Sequence, residues 1–249
     1  MTELPTTLEE AIEQSKVALQ AAIADGYRRV QIELVFPEIQ LKAQAIAKEY
    51  IALFEQYGAG LKVFFPDVGA AALAKRDWGQ IPFKVSDLGS SRSPVENRIE
   101  ATDELFLLVD ASSVEIAQVE KLCQMADDRP VILIIPRLED ATTIGIGYAG
   151  RQLRERFLST LQSCYYIRPL TGAALFRCYP SPWQVWLEKD DNYELIAQQP
   201  EKPLGDALEQ ILLKATAGEE NQDSSQSPTT VKRSGVFGEL KRFLRALSQ

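Results

Sequence analysis

Gly145-Ile146-Gly147-Tyr148-Ala149-Gly150 has the spacing G-x-G-x-x-G, and Arg151 and Arg154 follow within one helical turn. Glycines so spaced let backbone approach a pyrophosphate at a helix N-terminus, which is the chemistry of dinucleotide sites. Two features set this copy apart. It lies about ten residues beyond its strand, late in the chain, where the fingerprint normally follows the first strand. No acidic residue ends a strand about twenty positions on; that stretch reads Tyr165-Tyr166-Ile167-Arg168-Pro169. The motif is therefore either a close-packed loop entering a helix or a phosphate or nucleotide site. Arg151 and Arg154, three apart, form either a solvated face pairing with acidic neighbours or a guanidinium clamp for carboxylate or phosphate.

The other chemistry-bearing residues are sparse. The 249-residue chain contains no histidine, which excludes the Ser–His–Asp triad, the Cys–His dyad, His-ligated zinc and an imidazole base. Cys123, Cys164 and Cys178 are odd in number and widely spaced, with no C-x-x-C, so they suit buried thiols in a reducing compartment. Cys164 has no evident base beside it. Asp67 follows a strand, where open α/β sheets place ligands, but it equally suits a helix N-cap. Trp78, Trp183 and Trp186 suit packing. No catalytic residue, metal or cofactor is expected, and the composition tilts toward a binding or scaffolding protein.

Charge divides the chain. Residues 232–249 carry Lys232, Arg233, Lys241, Arg242 and Arg245 against Glu239, a net of +4, whereas residues 1–231 carry 22 basic against 34 acidic residues, a net of −12. Such an acidic body is a poor phosphate-backbone surface, so no nucleic acid is expected as partner. The polar, acidic start does not read as a secretory leader, and no apolar run approaches the roughly 20 residues of a membrane span.

These residues must be positioned by an alternation of helices and strands. Leu8, Ile12, Leu19 and Ile23 mark a helix over 6–24, closed by Asp25-Gly26. Strands are expected at 30–36, 61–65, 82–85, 105–109 and 131–135, with helices at 41–57, 68–75, 113–126 (capped by Ser112 or Ser113) and 150–161. Strands apolar on both faces alternating with helices predict a Rossmann-like, mostly parallel α/β sheet with helices on both faces. From about 163 to 199 short strands at 164–168, 173–179, 184–188 and 193–197 form a β-meander, which extends the sheet or makes a small subdomain. A helix over 204–215 closes a unit spanning 1–216. Residues 217–231 are polar and suit a flexible linker. Residues 232–249 form a basic amphipathic helix. Its apolar positions, Val236, Phe237, Leu240, Phe243, Leu244 and Leu247, fall on an arc of roughly 120°, opposite Lys241, Arg242 and Arg245. Its possible berths are a membrane surface, a partner's groove or its own body.

Several segments resemble a family of cyanobacterial and plastid proteins called domain of unknown function 1995. They are Asp25-Gly26-Tyr27-Arg28-Arg29-Val30 running into Glu33 and Pro37-Glu38, then Phe64-Phe65-Pro66-Asp67 with Lys75-Arg76-Asp77-Trp78. Arg129-Pro130-Val131-Ile132, Gly145 to Phe157, Tyr165-Tyr166 with Arg168-Pro169, and Tyr179-Pro180 with Trp183 complete the likeness, which covers about residues 5–200. The resemblance implies a non-enzymatic auxiliary factor in photosystem II assembly that helps insert or stabilise the antenna subunit CP43. With no plastid transit peptide apparent, it further implies a cyanobacterial protein, peripheral on the cytoplasmic face of the thylakoid. The family supplies no catalytic residues. The reading from another class is a nucleotide- or phosphometabolite-binding protein using the Gly145–Gly150 loop.

The tail generates the first prediction. Each basic residue near an anionic thylakoid lipid surface contributes about 1 kcal/mol, and burying Phe237 and Phe243 adds an apolar part that salt does not screen. The chain is expected to float with anionic liposomes, less at high salt, and the Phe237→Ser/Phe243→Ser variant is expected to stay behind. Equal flotation of the two would send the tail to a partner or back to its own body.

Overall fold

The computed structural model of the protein describes residues 3–139, 148–189 and 192–220. The first helix, α1 (Leu8–Ala24), begins where the Thr7 side chain accepts the Glu10 N–H and the Glu10 carboxylate accepts the Thr6 N–H, satisfying two donors that the first turn leaves unpaired. There follow β1 (Arg29–Leu34), α2 (Ala43–Ile51), β2 (Leu61–Phe65), α3 (Val68–Trp78), β3 (Lys84–Asp87), β4 (Leu105–Val109), α4 (Ile116–Met125) and β5 (Val131–Ile134). The chain continues with α5 (Tyr148–Arg156), β6 (Gln162–Leu170), β7 (Ala173–Cys178), β8 (Trp183–Lys189), β9 (Asn192–Gln199) and α6 (Asp206–Glu220).

Several expectations need correcting. The helix expected over 41–57 is broken: α2 is flanked by 3-10 turns, Ile39–Lys42 and Ala52–Gly60, because Phe54 (φ −124°) and Gly58 (φ 46°) leave helical geometry. Neither Ser112 nor Ser113 caps α4. Ser112 gives its hydroxyl and its backbone N–H to the Glu115 carboxylate, and the helix starts after Glu115. Helix α6 runs to Glu220, so residues 217–220 are helical where a linker was expected. Asp67 does cap α3, accepting the Ala70 N–H at 3.0 Å.

All nine strands form one sheet in the order β3-β2-β4-β5-β1-β6-β7-β8-β9. Six strands, β3 to β6 in that order, pair in parallel, and β6 to β9 pair antiparallel. The meander therefore extends the sheet. Helices α1, α2 and α3 cover one face, with Val30, Ile32, Val63, Leu107 and Ile134 beneath them. On the other face α4 and residues 157–161 cover Phe106, Leu108, Val131 and Leu133, and α6 covers Tyr166, Leu175, Trp183 and Val185. This is the expected α/β class with helices on both faces.

The chain leaves β1 toward β2 and β3 on one side, but leaves β5 toward β6 on the other. β1 and β5 are neighbours in register from Arg29↔Val131 to Ile32↔Ile134. Their connections therefore part at the carboxyl ends, and that divergence is where open α/β sheets form a crevice.

The amino edge is tied down by charge. Arg29 donates to the carbonyls of Cys123 (2.7 Å), Asp127 (2.6 Å) and Arg129 (2.8 Å), and Arg129 donates to those of Met125, Ala126 and Asp103. Lys62, nearly buried, donates to the Arg98 carbonyl and pairs with Glu100 (3.0 Å) and the fully buried Asp103 (3.3 Å). Asp103 also holds Lys84 at 2.8 Å and accepts the Glu100 N–H. Removing one partner of such a pair strands a buried charge, at a cost of about 3–5 kcal/mol. Asp103→Ala is expected to lose stability on that scale in urea unfolding. Lys62→Met is expected to lose less, because Lys84 keeps Asp103 paired. Equal losses would show that the carboxylate is not the hub.

Candidate functional site

A cavity of about 580 Å³ opens at the divergence between β1 and β5, a size that suits a small metabolite. Its floor is the polar side of β1 and β6. Gln31 and Glu33 alternate with the apolar Val30, Ile32 and Leu34, and Tyr166 lies opposite Glu33 in the ladder, with Arg168 two residues further toward the rim. Residues after β4 and β5 (Ser112–Val114 and 135–139), Arg154 of α5, and Lys202 and Leu204 ahead of α6 form the walls.

Glu33 is the unusual group. It is 9% exposed, accepts a 2.5 Å hydrogen bond from the Ser163 hydroxyl, and faces the Lys202 ammonium at 3.6 Å. Burial pushes its carboxyl above the ordinary value of 4.5, and Lys202 and Ser163 only partly offset this. Lys202 also faces Glu139 at 3.5 Å and stands over the Tyr166 ring at 4.2 Å and the Trp183 ring at 5.5 Å. Burial disfavours its charge, but Glu33, Tyr166 and Glu139 together hold the ammonium above its usual value. Arg137 grips Asp110 through two hydrogen bonds, at 2.9 and 3.3 Å.

The backbone is forced at this edge. Asp110 (φ 53°), at the end of β4, and Ile135 (φ 54°), just past β5, both take the left-handed conformation. For a β-branched residue that is a true outlier, of the kind that concentrates at binding sites. It is held by the Ile135 N–H to Ile32 carbonyl bond and the Asp110 N–H to Ile134 carbonyl bond, both 2.9 Å.

Of the residues singled out from sequence, Arg154 lines the cavity, whereas Arg151 is exposed and does not. Gly150 is buried within α5. Gly145 and Gly147 lie outside the described residues, as do Phe237, Leu240, Lys241, Arg242, Phe243, Leu244, Arg245 and Leu247. Arg156 is spoken for by Glu120 at 2.8 Å. The cysteines are buried, and burial raises the Cys164 thiol and lifts that of Cys123 to about 12, so neither supplies a thiolate. Among the described residues no group of Cys, Asp and Glu could hold a metal, and no helix is long and apolar enough to cross a membrane. Sequence reasoning missed Glu33, Arg137, Arg168 and Lys202 as site residues. The available signal was the alternation in β1: a polar–apolar strand amid all-apolar parallel strands implies a polar floor.

A family match described as "Domain of unknown function (DUF1995)" covers residues 5–210, and the chain belongs to that family.

A carboxyl raised on folding makes the native state bind the extra proton, so its contribution to stability falls as pH rises above 4.5. Glu33→Gln removes that slope. Measured by denaturant at pH 5 and pH 8, the variant is expected to gain on the wild type as pH rises. The opposite slope would mean that Lys202 dominates and holds Glu33 below its ordinary value.

Proposed function

We propose that this protein acts by binding, as an auxiliary factor in photosystem II assembly that helps insert or stabilise CP43. In this reading it is a cyanobacterial protein, peripheral on the cytoplasmic face of the thylakoid, and residues 232–249 engage the anionic lipid surface. The supporting observation is the distribution of exposed apolar side chains. Of ten large ones exposed among the described residues, six lie around the carboxyl edge: Val35, Leu41 and Val114 in loops after parallel strands, Val68 and Tyr148 at the starts of α3 and α5, and Leu204 in the crevice wall ahead of α6. Leu41 and Val114 are 83% and 79% exposed. Single exposed leucines are ordinary, but a concentration around one rim suits a protein-docking face. The ion-paired state of Glu33, Lys202, Arg137 and Asp110 likewise suits binding better than turnover.

The test is co-purification from solubilised thylakoids, read by the amount of CP43 recovered. The full chain is expected to retain CP43. Leu41→Asp/Val114→Asp is expected to lower recovery at least tenfold with the melting temperature little changed, since neither side chain is buried. Removing residues 232–249 is expected to reduce membrane retention more than CP43 capture in detergent. Absence of CP43 from the wild-type eluate would refute the reading.

A further inference from the structure

We propose that the crevice between β1 and β5 binds a small phosphate monoester carried on a hydroxyl-bearing skeleton, with Arg154 and Arg168 gripping the phosphate at the rim. This goes beyond the assembly reading, which needs no small ligand, and it moves the phosphate from the glycine motif to a different set of residues.

The chain as a whole is at −8, yet the cavity lining carries Arg137, Arg154, Arg168 and Lys202 against Glu33 and Glu139. The lining carries a positive excess in a chain whose residues 1–231 are net negative. Of the four cations, Lys202 is held by the two carboxylates and Arg137 by Asp110. Arg154 and Arg168 have no carboxylate within ion-pair distance among the described residues, and both are exposed to the cavity mouth. Two guanidinium groups lining one opening, one of them also hydrogen-bonded to the Tyr166 side chain, suit an anion with several acceptor oxygens, because each fork can take two.

The interior has a different character. Below the rim the ion-paired Lys202 lies across Tyr166, and Glu33 and Glu139 present carboxylate oxygens beside it. The Ser112 and Ser113 residues face the same space. The carboxylates and the Ser113 hydroxyl suit hydroxyl donors on the ligand body, whereas the Ser112 hydroxyl is engaged by Glu115 and the Val114 N–H. The volume accommodates a sugar phosphate or a mononucleotide, which share this chemistry. The forced backbone at Ile135 places the strand ends so that the crevice stays open between diverging connections.

The full chain would be titrated with ribose 5-phosphate, AMP, inorganic phosphate and ribose, following heat of binding and melting temperature. Saturable binding is expected for at least one of the two phosphate esters, weaker binding for inorganic phosphate and none for ribose. Arg154→Ala and Arg168→Ala are each expected to weaken the ester about tenfold or more, the loss expected for one charge-assisted contact, with the unliganded melting temperature little changed. Arg76→Ala, on the exposed part of α3, is expected to leave binding unchanged. AMP alone binding would identify a nucleotide, and ribose 5-phosphate alone a sugar phosphate. No saturable binding of either ester, ribose binding as well as its phosphate, or binding that survives the Arg154→Ala/Arg168→Ala double variant would each overturn the proposal. CP43 capture is read separately and does not depend on these outcomes.

Discussion

A carboxylate in the middle of a parallel sheet dictates the form of this molecule's carboxyl edge. Next to β1, β5 presents Val131 and Leu133 to the covering helices, as β4 beyond it presents Phe106 and Leu108, whereas β1 presents Gln31 and Glu33. A buried ionisable group needs partners, or its charged form is suppressed. Ser163 on β6 supplies one, and the rest come from more than a hundred residues away in sequence, where the segment between β9 and α6 returns to lay Lys202 against the floor. A helix seated directly over β1 would have to bury Glu33 against apolar side chains. The helices instead stand to either side, α5 over the β5 flank and α6 over the meander, and the gap between them is the crevice.

The two edges of the sheet answer different physical demands. At the amino edge, Arg29, Lys62 and Arg129 bind carbonyls and carboxylates of several segments at once, so loops there are pinned by charge-assisted bonds. The carboxyl edge has left-handed backbone at Glu38, Asp110 and Ile135, as the amino edge has at Asp127, together with exposed apolar residues and with Arg154 and Arg168, for which no ion pair is found among the described residues. Charge-assisted bonds to several segments are thus found at the amino edge, while the exposed apolar side chains Val35, Leu41 and Val114 lie at the carboxyl edge, above a core that both edges share.

How legible this was from sequence differs by element. The strands 105–109 and 131–135 were plain because five consecutive apolar residues leave few alternatives, and the stop at Asp25-Gly26 matched the end of α1. Helix 41–57 was over-extended because its composition is helical throughout, while Phe54 and Gly58 break it through backbone geometry that composition does not report. Ser112 looked like a cap but is claimed by Glu115. Strand order was not legible, and the crevice depends on it. Glu33 and Lys202 become neighbours only because β1 inserts between β5 and β6, a placement that no local pattern encodes. Arg154 was legible as a candidate, since its motif neighbours drew notice, but its companion in the cavity proved to be Arg168 rather than Arg151.

That insertion also governs how the chain must be made. β1 is among the first elements synthesised, yet both of its partners, β5 and β6, come roughly a hundred residues or more later. At elongation rates of about 5–20 residues per second, the strand would wait roughly 5–20 seconds with neither edge paired. Helix α1 shares the delay, since β6 is one of the strands it packs against. β2, β3 and β4 can pair with one another meanwhile, so a partial sheet can form before the first strand enters it. Contacts so distant in sequence slow folding, and an unpaired strand in the interim is open to wrong partners. For this topology the ribosome-bound intermediate is therefore the vulnerable species, and its exposed element is the very strand that later floors the crevice.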